Sequence, residues 1–186
     1  MLDSGLKALP VLEKNKVKGI VTSTDIVNSI NSIPEVADLR AADIMSGDPI
    51  TVSEDDDLLD ALKKMRDIDE ASIPVVNKDG KITGMVNIND ISKELWRERG
   101  KMHQGEYYRN KSKPSVKDVM VSPLTIEPDK SISSCMREMA DSEARICAVV
   151  DENMVPEGII SQSDILGEIV SGETITSFTE GFDLFL

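Results

Sequence analysis

Glu157-Gly-Ile-Ile-Ser-Gln-Ser-Asp164-Ile-Leu decides the fold, because the chain carries its plan three times. Lys18-Gly-Ile-Val-Thr-Ser-Thr-Asp25-Ile-Val and Thr83-Gly-Met-Val-Asn-Ile-Asn-Asp90-Ile-Ser are the other two copies. The plan is Gly, two aliphatic residues, a Ser, Thr or Asn, two variable residues, Asp, then Ile. Self-similarity at this scale marks repeated structural units. The aliphatic pair reads as the end of a strand. The Ser, Thr or Asn with Asp three places on reads as a helix start, a variant of the capping box.

Working upstream, two copies also share a beginning: Asp43-Ile-Met45 before Pro49-Ile-Thr51-Val, and Asp118-Val-Met120 before Pro123-Leu-Thr125-Ile. Thr51 to Met65 and Thr125 to Met139 are both 14 residues. Met65 to Pro74, Met139 to Ala148 and Met1 to Pro10 are each nine. A full unit therefore reads strand, helix, strand, strand, helix. Leu58, Leu59, Leu62 and Met65 give one amphipathic helix face, and Ile132, Cys135, Met136 and Met139 another. Ile73–Val76 and Ile82–Val86 flank Asn77-Lys78-Asp79-Gly80, a hairpin signal. Met1 falls at the end of a unit's first helix, so that unit's first strand and most of its first helix are expected upstream of residue 1. The chain divides into a partial repeat (1–30), a repeat (40–97), a basic, aromatic linker (98–113), a repeat (114–172) and an acidic, Phe-bearing tail (173–186). Each unit leaves one sheet face uncovered, and stacking two units would bury it.

Composition removes several function classes. The 186 residues carry 21 Lys and Arg against 34 Asp and Glu, a net charge of −13. No apolar run reaches the ~18 residues of a membrane span, and the N-terminus has no signal-peptide pattern. Two cysteines make no disulfide framework, so a cytoplasmic setting is expected. On a helix face and in a strand, Cys135 and Cys147 read as buried and inert. One histidine, His103, lies in the linker and reads as exposed. No nucleophile–base pair, paired acid and base, or metal cage is visible, so no enzyme activity is expected. The linker region 93–117 carries eight basic residues with Trp96, Tyr107 and Tyr108, which would suit nucleic acid. The acidic whole opposes that reading. Trp96 and the tyrosines are expected to pack on the repeats or on a second subunit. Phe178, Phe182 and Phe185 are expected to dock likewise or to meet a protein partner.

The triple motif, its shared leaders and their order resemble the cystathionine-β-synthase (CBS) domain, an adenine-nucleotide-sensing module usually found in tandem pairs called Bateman modules. The resemblance covers about 4–30, 40–97 and 114–172. It implies an α/β (α+β) fold of tandem β-α-β-β-α repeats packed sheet to sheet with pseudo-twofold symmetry, with ligands in clefts between paired repeats. Two pairings are open: repeats two and three, or the half repeat with repeat two. By resemblance, the motif Asp holds ribose hydroxyls, its Ser or Thr faces phosphate, and residues at the first two strands hold the base. Repeat three then offers Thr125, Ile126, Arg145, Ile146, Ser161 and Asp164. Repeat two offers Thr51, Val52, Ile73, Asn87 and Asp90, but has Ala71 at the basic position and Asn87 in place of a hydroxyl. The half repeat offers Lys7, Thr22, Thr24 and Asp25.

The residue chemistry agrees without the analogy. A carboxylate accepts from vicinal hydroxyls, a helix start favours an anion, and Arg145 would add a bidentate phosphate contact. The competing reading is that each motif only caps a helix, that Asn87 does so above all, and that Arg145 merely pairs with Glu143 or Asp141. The expected function is regulatory binding of AMP, ADP, ATP (with Mg) or S-adenosylmethionine in a homodimer, with no catalytic cofactor. The alternatives are a ligand-free dimerisation or interaction scaffold and the regulatory fragment of a larger enzyme or transporter.

Overall fold

The structure is a computed structural model that describes residues 6, 8–30, 39–68, 70–103, 114–142 and 144–171. In chain order its elements are β1 (Ala8–Glu13), β2 (Lys16–Thr22), α1 (Ser23–Ile30), α2 (Ala41–Ile44), β3 (Ser46–Gly47), β4 (Val52–Ser53), α3 (Leu58–Asp67), β5 (Ser72–Val76), β6 (Ile82–Asn87) and α4 (Ile88–His103). A 3-10 turn (Val116–Asp118) precedes β7 (Thr125–Ile126), α5 (Ile132–Ser142), β8 (Ile146–Val150), β9 (Pro156–Ser161) and α6 (Gln162–Ser171). The strand, helix, strand, strand, helix order expected of repeats two and three is present, and α4 continues past residue 97 to His103.

The chain forms two compact units whose limits cut across the repeats. One holds 48–123 with 150–157, and the other holds 1–47, 124–149 and 158–186. In the first, β4 pairs parallel with β5, and β5 antiparallel with β6. Gly80, at φ +76°, closes the hairpin, and Asn77 Oδ1 accepts from the Asp79 and Lys81 N–H groups. Leu58, Ala61 and Met65 point into a core with Val52, Ile73, Val75, Val86, Ile91 and Val116. Leu59, expected on that face, is exposed. Asp57 occupies the N-cap, so the buried stripe runs through positions 58, 61 and 65 and Leu59 turns outward.

In the second unit β3, β9, β8 and β7 form one sheet. Ile132, Cys135, Met136 and Met139 are all buried, as expected. Helix α1 of the half repeat packs on α5 and α6 of repeat three, placing Val27 in the same core as Met136, Ile160 and Ile165. Fully burying one such valine stabilises by about 1.5–3 kcal/mol. Cys147 donates weakly to the Ala148 carbonyl. Its contact with Cys135 and its burial push the Cys147 thiol well above its ordinary value, so it sits in the core as a protonated apolar group beside the buried Cys135.

The two leaders are used reciprocally. Asp43 Oδ2 accepts from the Arg40 N–H at 2.9 Å, and Asp118 Oδ2 from the Ser115 N–H at 2.8 Å, so each Asp closes a short helical turn. The turn before repeat two sits on repeat three: the Ala41 and Ala42 N–H groups donate to the Lys130 and Pro128 carbonyls, and Ser46 pairs with Ile159. The turn before repeat three sits on repeat two in the same register. There the Val116 and Lys117 N–H groups donate to the Asp56 and Glu54 carbonyls, and Val121 bridges Met85. Each leader's methionine then lies over the motif glycine of the strand it joins. A Cβ on Gly158 would stand 2.7 Å from Met45 Sδ and 2.9 Å from the Ser46 carbonyl oxygen. On Gly84 it would stand 2.8 Å from Met120 Sδ and 3.1 Å from the Val121 oxygen.

Gly158→Ala is therefore expected to cost about 1–3 kcal/mol by overpacking. Gly84→Ala should cost less, because both sites face a flexible methionine sulfur but the backbone oxygen stands 3.1 Å away at Gly84 against 2.9 Å at Gly158. Gly19→Ala, with nothing within 4 Å, should be neutral or slightly stabilising. Urea unfolding of the three variants, compared through their midpoints, checks that order.

Candidate ligand-binding site

Repeat three assembles the fullest set of the expected groups. Ser161 ends β9 as the N-cap of α6, and its N–H and hydroxyl both donate to Asp164 Oδ2 at 2.7 Å. The Asp164 N–H returns a bond to Ser161 Oγ at 3.3 Å. This reciprocal box occupies one carboxylate oxygen. Among the described residues no donor is bonded to Asp164 Oδ1, so the capping role leaves an acceptor available. Both residues are half-buried.

Arg145 is brought to this corner by the backbone, since the Gln162 N–H donates to the Arg145 carbonyl at 3.3 Å. Its side chain is exposed and makes no ion pair with a described carboxylate; Glu143 lies outside the described residues. Thr125 and Ile146 are half-buried on neighbouring strands, β7 pairing with β8 through Thr125↔Ala148. Ile126 is buried among the core residues, so its backbone alone remains for a ligand.

Repeat two keeps the frame and loses the chemistry. The Ile88 N–H donates to the Ala71 carbonyl at 2.9 Å, the counterpart of the Gln162–Arg145 bond, but alanine supplies no cation. Asn87 Oδ1 accepts from the Asn89 N–H at 2.8 Å and its amide donates to Ser72 Oγ at 2.7 Å. Asp90 turns instead to Lys93, 3.1 Å away, so the box seen in repeat three does not form. Thr51 is half-buried, while Val52 and Ile73 are core residues.

In the half repeat, the Thr22 N–H and hydroxyl donate to Asp25 Oδ2 at 2.8 and 2.6 Å. Lys7 lies outside the described residues. Unit packing brings this second box's helix to the first: Gln162 Oε1 accepts from Thr24 Oγ1 at 3.1 Å and, more distantly, from Ser23 Oγ at 3.5 Å. Gln162, almost fully buried, thus ties the two helix starts together. The sequence treated it as a variable position; the signal available was an uncharged amide where a helix begins beside two other polar groups. Trp96 is not packed on the described residues of the repeats. It is exposed, with the Arg99 guanidinium 5.7 Å from its ring centroid. Tyr107, Tyr108 and the three tail phenylalanines lie outside the described residues, as does the side chain of His103.

A sequence profile of the CBS domain matches residues 1–32, 41–97 and 116–171. The chain belongs to the CBS-domain family. Members of this family are regulatory modules. The uncharacterized protein MJ1404 of Methanocaldococcus jannaschii is 32% identical over 172 residues, which is 89% of this chain and 40% of that protein. The chain thus spans well under half of that relative. A crystal structure of protein MJ1225 from the same organism, described as an archaeal homologue of γ-AMPK, superposes with a TM-score of 0.71 at 20% identity, covering 90% of this chain and 61% of that one. The CBS domain pair of protein MJ0100, solved with 5′-methylthioadenosine and S-adenosylmethionine, gives 0.59 at 22% identity over 71% of this chain and 96% of that one. These likenesses establish the tandem CBS fold. Among the described residues no helix is long and apolar enough to cross a membrane.

The Thr22 hydroxyl and N–H hold the Asp25 carboxyl below the ordinary value of 3.8. A depressed folded-state pKa adds stability above the unfolded value and loses it as pH falls through the folded one. Thr22→Val should therefore raise the Asp25 titration midpoint. Its destabilising effect should be present at neutral pH and fade below about pH 4. A carboxyl-detected NMR titration of both proteins reads the two midpoints.

Proposed function

We propose that this CBS chain is a regulatory sensor in which repeat three takes an adenosine-containing ligand. Asp164 Oδ1 accepts from the ribose hydroxyls, Ser161 and the α6 N-terminus meet the phosphate or its equivalent, and Arg145 adds the cation. Thr125, Ile146 and the Ile126 backbone stand for the base. The observation that carries the reading is the unspent Asp164 oxygen beside a hydroxyl N-cap and an arginine, a set with an acceptor for sugar and donors for anion. The adenosine compounds held by the MJ0100 pair support the ligand class. Repeat two, with Ala71, Asn87 and a Lys93-paired Asp90, is read as structural. The half repeat contributes Thr22, Thr24 and Asp25 next to Gln162, and Lys7 remains a candidate for its phosphate contact. Homodimerisation is the assembly through which occupancy would be read out, provided that the ligand binds two arrangements with different affinity. With ATP, Mg would arrive on the triphosphate.

Thermal unfolding with AMP, ADP, ATP and S-adenosylmethionine, each at about 1 mM, tests this reading. A ligand at 100 times its Kd stabilises by about 2.7 kcal/mol, a shift of several degrees. No shift with any of the four would favour the interaction-scaffold alternative.

Asp164→Asn keeps an oxygen for Ser161 and should leave the melting temperature within a degree or two while weakening ligand binding about tenfold or more, a loss of roughly 1.4 kcal/mol. Asp164→Ala loses the box as well and should cost about 1 kcal/mol of stability. Arg145→Ala should weaken AMP and ATP more than S-adenosylmethionine. Isothermal titration of the three variants separates these effects, and equal losses for all ligands would remove Arg145 from the phosphate position.

A further inference from the structure

Gln162 stands out within its unit. Among the described residues it is the only polar side chain buried as deeply as the core, at 8% exposed. A buried amide costs stability unless its polar atoms find partners. The matched position in repeat two is Ile88, packed against the core of that repeat, so filling the space at this point asks for no amide. The backbone role is common to both residues. The Ile88 N–H donates to the Ala71 carbonyl at 2.9 Å, and the Gln162 N–H to the Arg145 carbonyl at 3.3 Å. What the glutamine adds is its side-chain oxygen.

That oxygen reaches α1. Thr24 Oγ1 donates to it at 3.1 Å and Ser23 Oγ at 3.5 Å, and both hydroxyls belong to the first turn of α1. Helix α1 is in turn seated through Val27 in the core that holds Ile160 and Ile165. Gln162 is the first residue of α6 and directly follows Ser161, whose N–H and hydroxyl close on Asp164 Oδ2. One residue therefore meets α1 with its side chain and the Arg145 carbonyl with its N–H. Through the chain it also holds the N-cap of the ligand corner.

We propose that Gln162 is a positioning residue through which α1 regulates the ligand corner of repeat three. With Thr24 and Ser23 donating to its amide oxygen, the first turn of α6 and the approach to β8 are held in the arrangement that presents Ser161, Asp164 and Arg145 together. When α1 draws back, the amide oxygen loses its partners and the turn relaxes to find others. The corner then spends a smaller fraction of its time in the binding arrangement, and apparent affinity falls by that fraction. Linkage makes the effect mutual: a ligand that prefers the ordered corner also tightens the hold on α1. The effect on binding rests on the adenosine reading above, whereas the positioning itself does not.

Amide hydrogen exchange on the full chain, resolved by residue and first without ligand, tests the positioning. Thr24→Val removes the donor and Gln162→Leu the acceptor. In each, exchange at Ser161 and Gln162 should quicken about tenfold while amides in β5 stay unchanged, and the double variant should add nothing further. Thr24→Ser keeps the hydroxyl and should behave as the wild type. Ile132→Val, a core change on α5, controls for loss of stability in general and should leave the two amides alone. Isothermal titration with AMP, ADP, ATP and S-adenosylmethionine reads the consequence. Thr24→Val and Gln162→Leu should each weaken the binding seen in the wild type about threefold to tenfold, and Thr24→Ser should not. The bound compound at saturation should slow exchange at Val27 in the wild type but not in Gln162→Leu. Unchanged exchange at Ser161 and Gln162 in both variants overturns the proposal. So does an Ile132→Val effect as large as theirs, or an affinity shared by the wild type and both variants. Absence of binding by the wild type to all four compounds strikes the adenosine reading instead, and the exchange data still decide whether Gln162 positions the corner.

Discussion

A methionine sulfur resting on a glycine Cα, made twice in the same register, is the contact around which the rest is arranged. Met45 over Gly158 and Met120 over Gly84 require that the glycines lack a side chain. They also require that Asp43 and Asp118 hold their short turns so that the methionines are aimed downward. The two leaders are exchanged, Ser46 pairing with Ile159 and Val121 with Met85. Each finishes the sheet of the other full repeat, so the boundary between compact units falls at Gly47 and again at Pro123. Separating the repeats by cutting between their sequence limits would strip both sheets of a strand-like edge at once.

The helix starts show how one residue type serves structure and recognition together. A carboxylate has two oxygens and about four acceptor sites, and the capping boxes at Asp164 and Asp25 use a single oxygen each. Where the N-cap is Asn87 instead, the amide turns to its own loop and Ser72, and the carboxylate is released to Lys93. Whether the carboxylate closes the box thus follows the N-cap, a hydroxyl at Ser161 and Thr22 and an amide at Asn87.

Much of this was legible in the sequence. The triple Gly-to-Asp motif, the hairpin at Asn77–Gly80 and the buried face of Ile132, Cys135, Met136 and Met139 depend on local periodicity and turn chemistry, which a sequence displays directly. The box at Ser161 and Asp164 was legible for the same reason. The exchange of leaders was not. Ser46 finds Ile159 and Val121 finds Met85 across long separations, and no periodicity encodes which edge a two-residue strand will join. Leu59 misled because a leucine beside an N-cap satisfies the helical spacing while facing water. Gln162 was invisible because a buried glutamine declares itself only when its partners, Ser23 and Thr24, are 139 and 138 positions away in sequence.

Those separations carry a consequence for the order in which the chain becomes structured during synthesis. Helix α1 leaves the ribosome more than a hundred residues before α5 and α6, the helices that bury Val27. Until they emerge, its contacts with Met136, Ile160 and Ile165 cannot form. The unit built on residues 48–123 has nearly all of its sheet and core once Val121 is made, lacking only the 150–157 turn. It can therefore condense before α5 and α6 are made, whereas the contacts of Val27 with Met136, Ile160 and Ile165 close only after them.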